Sequence, residues 1–246
     1  MATADVVILL IGLHGSGKST FIKAATGADV RINKHSHGVS ETTTKCEAYR
    51  TVYRNKIFTI IDTPGLADKS NYEENLAILA QIADQLGKMD KACISGVIYM
   101  HSIQDMRLTA VHMANFRMLR AICGEQFPHV AFVTSRWDRV RHEDNRRYDR
   151  MNHDLELERR RLLPRGPRIF RFLNDDESHE QILDYFADQV DRTTGGVTPP
   201  RLQFAEELKR RQFEKKGSKA VRQTGAVKEI ERERRKVSKA PTCCIL

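Results

Sequence analysis

Gly12-Leu13-His14-Gly15-Ser16-Gly17-Lys18-Ser19 decides the reading of this chain. Glycines spaced along the loop, then Gly-Lys-Ser, let a backbone curl so that successive N–H groups converge on one anion. Lys18 follows to reach the outer phosphates, and Ser19 carries a hydroxyl suited to Mg²⁺. The apolar run before it, Val6 to Ile11, predicts a strand, and Thr20 to Thr26 predicts a helix whose positive end faces the same anion. Strand, glycine loop and helix in that order predict a nucleotide phosphate site formed by Gly12, His14, Gly15, Ser16, Gly17, Lys18, Ser19 and Thr20.

Outward from this loop, strands and helices alternate. Cys46–Tyr53 and Lys56–Ile61 read as strands joined by a tight turn at Arg54-Asn55, a hairpin. Asn71–Leu86 has apolar residues at helical spacing, Ala92–Met100 reads as a buried strand, and Met106–Cys123 as a helix. His129–Thr134 and Pro167–Leu173 read as strands, His142–Leu163 as a long charged helix, and Glu177–Val190 as a helix. This alternation predicts an α/β fold with a mostly parallel central sheet and helices on both faces, a three-layer P-loop nucleotide-binding architecture. The ligand then belongs at the carboxyl ends of the strands, where the glycine loop lies.

Asp62-Thr63-Pro64-Gly65 closes the strand Lys56–Ile61. A carboxylate there suits Mg²⁺, and a residue without Cβ lets the Gly65 amide meet a γ-phosphate. Between the two motifs, Asp29 to Lys45 reads as a long polar loop. It contains Thr42, Thr43 and Thr44, of which Thr43 is the expected partner of Mg²⁺ and γ-phosphate and Thr44 the next candidate. The predicted catalytic set is therefore Lys18, Thr43 and Gly65, and the predicted metal set Ser19, Thr43 and Asp62. Thr134-Ser135-Arg136-Trp137-Asp138 follows a strand. Its Asp138 carboxylate can accept two N–H bonds from a guanine edge, and Arg136 can stack on a purine. Thr134, Arg136 and Asp138 are thus the candidate base-binding residues, with ATP left open beside GTP and GDP. Trp137 reads as core rather than lid.

These pieces in this order resemble the translation-factor-related GTPases. Within that class they are similar to the septin, immune-associated (GIMAP) and chloroplast import receptor (Toc) branch. The resemblance rests on Gly15 to Ser19, Ser40 to Cys46 with Thr43 three before the cysteine, Asp62 to Leu66, and Thr134 to Asp138. Gly96 to Arg107 also resembles a stretch in uncharacterised fungal proteins of this type. The similarity spans residues 5 to 190. It implies Mg²⁺-dependent hydrolysis of GTP to GDP, and a homodimer across the nucleotide site. Leu66 stands where a Ras-like enzyme carries the glutamine that orients water, which implies slow intrinsic turnover helped by a partner or a second copy. His37, His101 and Arg107 are the polar residues considered as helpers.

Composition bounds the rest. The chain has 246 residues, 40% hydrophobic and 30% charged, enough for one α/β domain with a remainder. No run of 18 apolar residues occurs, and the start lacks the basic segment of a secretory leader, so neither a membrane span nor export is expected. Five cysteines, Cys46, Cys93, Cys123, Cys243 and Cys244, have no metal spacing and fit a reducing compartment. From Arg201 onward there are 14 Lys/Arg against 6 Asp/Glu, so eight of the nine net positive charges lie there. A basic arm of this kind suits an anionic surface rather than a nucleic-acid groove, since beyond Phe213 no aromatic residues are interleaved for stacking on bases.

Gly195-Gly196 and Pro199-Pro200 mark a domain end, giving a nucleotide-binding domain over 1–195, a basic helical to disordered tail over 196–240, and a terminal signal over 241–246. Leu202, Ala205, Leu208 and Phe213 fit one short amphipathic helix, and Gly217 to Pro241 reads as largely disordered. The end Cys243-Cys244-Ile245-Leu246 is a C-a-a-X sequence, which predicts a prenyl group on Cys243 beside a basic cluster. The expectation is a protein of the cytosol held on the cytosolic face of a membrane. It acts as a switch or an assembling scaffold, or as a structural protein whose nucleotide sets dimer state.

Overall fold

The computed structural model describes residues 5–28, 45–66, 72–88, 94–105, 110–124, 129–144, 167–193 and 224–228, together with 146, 148–150, 152–153, 231–232 and 235. Six strands form one sheet in the order β2-β3-β1-β4-β5-β6. They are β1 (Asp5–Gly12), β2 (Glu47–Tyr53), β3 (Lys56–Asp62), β4 (Ile94–Ser102), β5 (Val130–Ser135) and β6 (Arg168–Arg171). All neighbours are parallel except the hairpin partner β2 at one edge. Among the described residues, four long helices flank the sheet: α1 (Lys18–Thr26), α2 (Tyr72–Lys88), α3 (Ala110–Cys123) and α4 (Asp176–Thr193).

The apolar runs of β1, β4 and β5 follow from this position. A central parallel strand is covered on both faces, so consecutive residues rather than alternate ones must be apolar. Val6, Ile8 and Leu10 face α1 and α4, where Phe21, Ile22, Ile182 and Phe186 pack. Val7, Leu9 and Ile11 face α2 and α3, where Leu79, Ile82, Phe116 and Leu119 pack. Edge strand β2 instead alternates exposed and half-buried residues, as a one-sided strand should.

The β2–β3 turn is held from outside. Arg54 and Asn55 both take positive φ, 48° and 58°, the twist a two-residue hairpin needs. Arg54 also reaches Asp184 at 2.8 Å and Asp188 at 2.9 Å on α4, and Lys56 reaches Asp191 at 2.6 Å. Apart from the half-buried Lys56 the partners are exposed and each pair contributes little, yet together they register the hairpin on α4.

Two sequence expectations change. The composition of Gly217–Pro241 predicts disorder, but Thr224, Ala226 and Val227 are fully buried, and Ala226 and Val227 join the α2/α3 side of the core. Thr224 starts this helical turn, its hydroxyl accepting from the Val227 amide at 3.5 Å. The segment expected as one helix over His142–Leu163 opens with a 3-10 turn, His142–Asp144, before helical residues 146, 148–150 and 152–153; the rest lies outside the described residues. The expected helix over 202–213, and the domain boundary at 195, also lie outside them.

Candidate functional site

The strands β1, β3, β4 and β5 end side by side, at Gly12, Asp62, Ser102 and Ser135. The glycine loop leaves β1 at this edge. Gly12 must lack a Cβ, because one would lie 2.4 Å from the Met100 carbonyl oxygen and 2.7 Å from Ser16 Oγ. Gly15 and Gly17 take φ of 73° and 89°, the left-handed region that a residue without Cβ enters freely. The Lys18 ammonium is buried under the loop and donates to the carbonyls of Gly12 and Leu13, both at 3.0 Å. Ser16 Oγ is buried and meets no partner among the described residues. His14 and Gly15 are exposed at the rim, and Ser19 and Thr20 are half-buried on the first turn of α1.

The start of α1 is left open. Its cap is Gly17, with no side-chain hydrogen bond and no acidic residue in the first turn. The same chain closes α4 differently: Asp175 accepts the Ser178 amide at 2.8 Å, and Asp176 and Glu177 follow. Hydrogen bonds from Ser178 hold the Asp175 carboxyl below its ordinary range. Where no ligand is wanted, an acid caps the helix; at α1 the N–H groups and the positive end remain for an anion.

The Asp62–Leu66 segment is fastened to the loop. The Leu66 amide donates to the Gly12 carbonyl at 3.0 Å, and the His14 amide donates to the Leu66 carbonyl at 3.3 Å. A Cβ on Gly65 would lie 2.6 Å from the His14 Cα, so this close approach itself demands glycine. Thr63 donates to the Leu10 carbonyl at 2.8 Å. Asp62 is buried at the tip of β3, and its charge acts on its neighbour: burial first, and then Asp62, push the Cys46 thiol up to about 12. An anionic Asp62 and the Ser19 hydroxyl are a hard oxygen set of the kind Mg²⁺ takes. Thr43 and Thr44, the other candidates, lie outside the described residues, as do His37, Arg107 and Cys243.

The base motif grips the loop from the other side. Ser135 Oγ donates to the Ser16 carbonyl at 2.7 Å, and its second neighbour is the His101 carbonyl at 3.3 Å. Arg136, at φ 62°, donates from Nε to the Gly15 carbonyl at 2.6 Å. Asp138 is exposed in the following 3-10 turn.

Three sequence-predicted roles shift here. Thr134 is expected from the sequence to touch nucleotide, but it is fully buried and its hydroxyl donates to the Phe170 carbonyl at 3.2 Å. Trp137 is not core: it is half-buried, donates Nε1–H to Thr134 Oγ1 at 3.1 Å, and carries the Arg171 guanidinium 4.4 Å above its ring. His101, a candidate helper in hydrolysis, is buried on the α3 side, its ring 5.2 Å from that of His112. Sequence reasoning missed Ser135 as a loop-holding residue. The signal was its place, directly before Arg136 at the strand tip.

Residues 7–121, just under half of the chain, match the family model described as 50S ribosome-binding GTPase. No curated protein matches the chain in sequence. Among solved structures it is similar to a dimerization-deficient mutant of Toc33 from Arabidopsis thaliana, at 13% identity and TM-score 0.59, covering 80% of this chain and 87% of that one. It is also similar to the Arl6 BBS3 small GTPase from Trypanosoma brucei, at 15% identity and TM-score 0.52, covering 77% and 99%. A third is the bacterial selenocysteine-specific elongation factor EF-Sec, at 16% identity and TM-score 0.52; the match covers 77% of this chain but only 29% of that one. The expected three-layer α/β fold is therefore found, and it is the fold of a P-loop G domain.

Proposed function

We propose that this protein binds guanine nucleotide with Mg²⁺ and hydrolyses GTP to GDP slowly. The observation that carries the reading is the uncapped start of α1 facing a glycine loop that both Gly65-Leu66 and Ser135-Arg136 clamp. The loop amides and Lys18 would hold the phosphates, Ser19 and Asp62 the Mg²⁺, and Asp138 the base edge. The Mg²⁺ would neutralise charge developing on the phosphate oxygens during transfer. Gly65 lies close against the loop at His14, and Leu66 supplies no polar side chain: it is 1% exposed and packed in the α2/α3 core. Slow turnover follows from that burial, and completion of the site by a second copy is consistent with it. One Toc33 structure is described in complex with GDP and Mg²⁺, and dimerization is described as important for the GTPase activity of atToc33 and psToc159.

On this reading the protein is a nucleotide switch or scaffold. A prenyl group on Cys243, with the basic arm, would tether it to the cytosolic face of an anionic membrane. No described helix is long and apolar enough to cross a membrane. Competition of GDP, GTP and ATP for the full chain tests the nucleotide: GDP and GTP should displace a labelled guanine nucleotide far better than ATP. Lys18→Ala should abolish binding while secondary structure is kept. Unchanged guanine nucleotide affinity in that variant would remove the proposal. Single-turnover hydrolysis should quicken with protein concentration if a second copy completes the site. Cys243→Ser should move a membrane-bound protein to the soluble fraction.

A further inference from the structure

The end of β4 carries a second group of ligand-competent side chains that phosphate binding does not use. His101, the penultimate residue of β4, faces α3, with its ring 5.2 Å from that of His112 and 6.0 Å from that of Phe132. Asp105 follows in a turn held by its own amide on the Ser102 carbonyl, 3.1 Å, and by the Gln104 amide on Ser102 Oγ, 3.2 Å. His112 Nε2 stands 4.0 Å from Asp105 Oδ2. One ligand atom from each of the three residues lies within 4.8 Å of the other two. Both imidazoles are buried, while the Asp105 side chain is 41% exposed and leaves one side open. Tyr99, on the same face of β4, is fully buried, and its hydroxyl meets no hydrogen-bonding partner among the described residues.

We propose that His101, Asp105 and His112 form a binding site for a divalent transition-metal ion of the zinc type. The donor set makes the choice. Two imidazoles and one carboxylate suit Zn²⁺ and its first-row neighbours, whereas Mg²⁺ takes oxygen ligands. The site is thus chemically separate from the Mg²⁺ position at Ser19 and Asp62. Three protein ligands leave a fourth position, on the exposed side, for water. An ion about 2.0–2.1 Å from each donor would draw the donors to about 3.4 Å of one another. The half-exposed Asp105 turn is the part able to close that gap. The ion would tie the first turn of α3 to β4, one residue before the Ser102–Ser135 register pair. The His101 carbonyl is already a neighbour of Ser135 Oγ, which holds the Ser16 carbonyl. The metal would therefore brace the strand edge on which the nucleotide loop rests.

Full-length protein in a Cys243→Ser, Cys244→Ser background, stripped with chelator and titrated with Co²⁺, tests this without nucleotide. The expected result is one equivalent of Co²⁺ with visible d–d bands, displaced by Zn²⁺ and indifferent to Mg²⁺. Asp105→Asn and His112→Asn should each weaken Co²⁺ binding by more than about tenfold, the least that loss of even an outer partner costs. Lys18→Ala should leave it unchanged. Should His112→Asn fail to fold, Asp105→Asn decides, with metal-free melting equal to that of the parent as proof of folding. Absence of d–d bands, or bands undiminished in the folded Asp105→Asn variant, would overturn the site and leave a buried pair of edge-to-face imidazoles beside an acid.

Discussion

Leu66 and Gly12 are joined by a 3.0 Å hydrogen bond, the amide of one to the carbonyl of the other, and Leu66 pairs with Leu13 as a short parallel bridge. The segment after β3 thus continues the sheet onto the phosphate loop. Its backbone is committed there, and its side chain points into the core.

Leu66→Gln should therefore not create a faster hydrolase. The amide would enter an apolar site without a partner, at a cost of about 1–3 kcal/mol. Thermal unfolding should occur at lower temperature, and the single-turnover rate should stay at or below that of the parent. A clear rate increase would show that residue 66 swings out to the nucleotide.

Arg136→Ala removes the 2.6 Å bond from Nε to the Gly15 carbonyl. A charge-assisted bond of this kind contributes about 1.5–3 kcal/mol, so affinity for a fluorescent GDP analogue should fall at least about tenfold. Arg136→Lys should not restore it, since a lysine ammonium sits elsewhere on its stem and lacks the planar fork. Full recovery with lysine would reduce the residue to a charge.

Gly96 tests the packing of α4 on the sheet. A Cβ there would fall on the Phe186 ring, 2.0 Å from Cε1. Gly96→Ala should lower stability by about 1–3 kcal/mol in urea unfolding. Phe186→Leu in the same chain should return part of the loss. Additive losses in the double variant would contradict the contact.

His129 makes stability fall with acid. Its ring is buried, Nδ1 lies 3.0 Å from the Ser95 carbonyl, and burial holds its pKa below the ordinary 6.5. The unfolded chain then binds the proton more readily than the folded one, so stability rises with pH through this window and declines as pH drops below about 6.5. His129→Gln should flatten that part of the melting-temperature profile. An unchanged slope would assign the effect to other groups.

The local features of this fold are legible in the sequence. Val6–Ile11 with the glycine loop, the Arg54-Asn55 turn, and the spacing of Leu76, Leu79 and Ala83 each carry their own geometry within a few residues. Asp62-Thr63-Pro64-Gly65 sits at a strand tip, where its composition places it. What is not legible depends on residues far apart in the chain. The approach of Gly65 to His14, the clamp of Ser135 on Ser16 and the meeting of His101 with His112 follow from strand order, which periodicity does not encode. Thr134 misleads because a hydroxyl at a strand tip can turn to either neighbour, and β6 offers the Phe170 carbonyl. The burial of Ala226 and Val227 is hidden in a charged segment; Thr224 as a helix cap is its one local sign.

Were Cys243 to carry a lipid, the burial of Ala226 and Val227 would bear on how the molecule is held. Residues 231, 232 and 235 are helical as well, and eight residues lead from Arg235 to Cys243. Fully stretched, they reach about 28 Å. A lipid on Cys243 would pull from the α2/α3 side, turning that flank toward the bilayer and α1 with α4 away from it. The mouth of the nucleotide cleft, at the edge of the sheet, would then lie sideways and stay open to exchange while the molecule is moored.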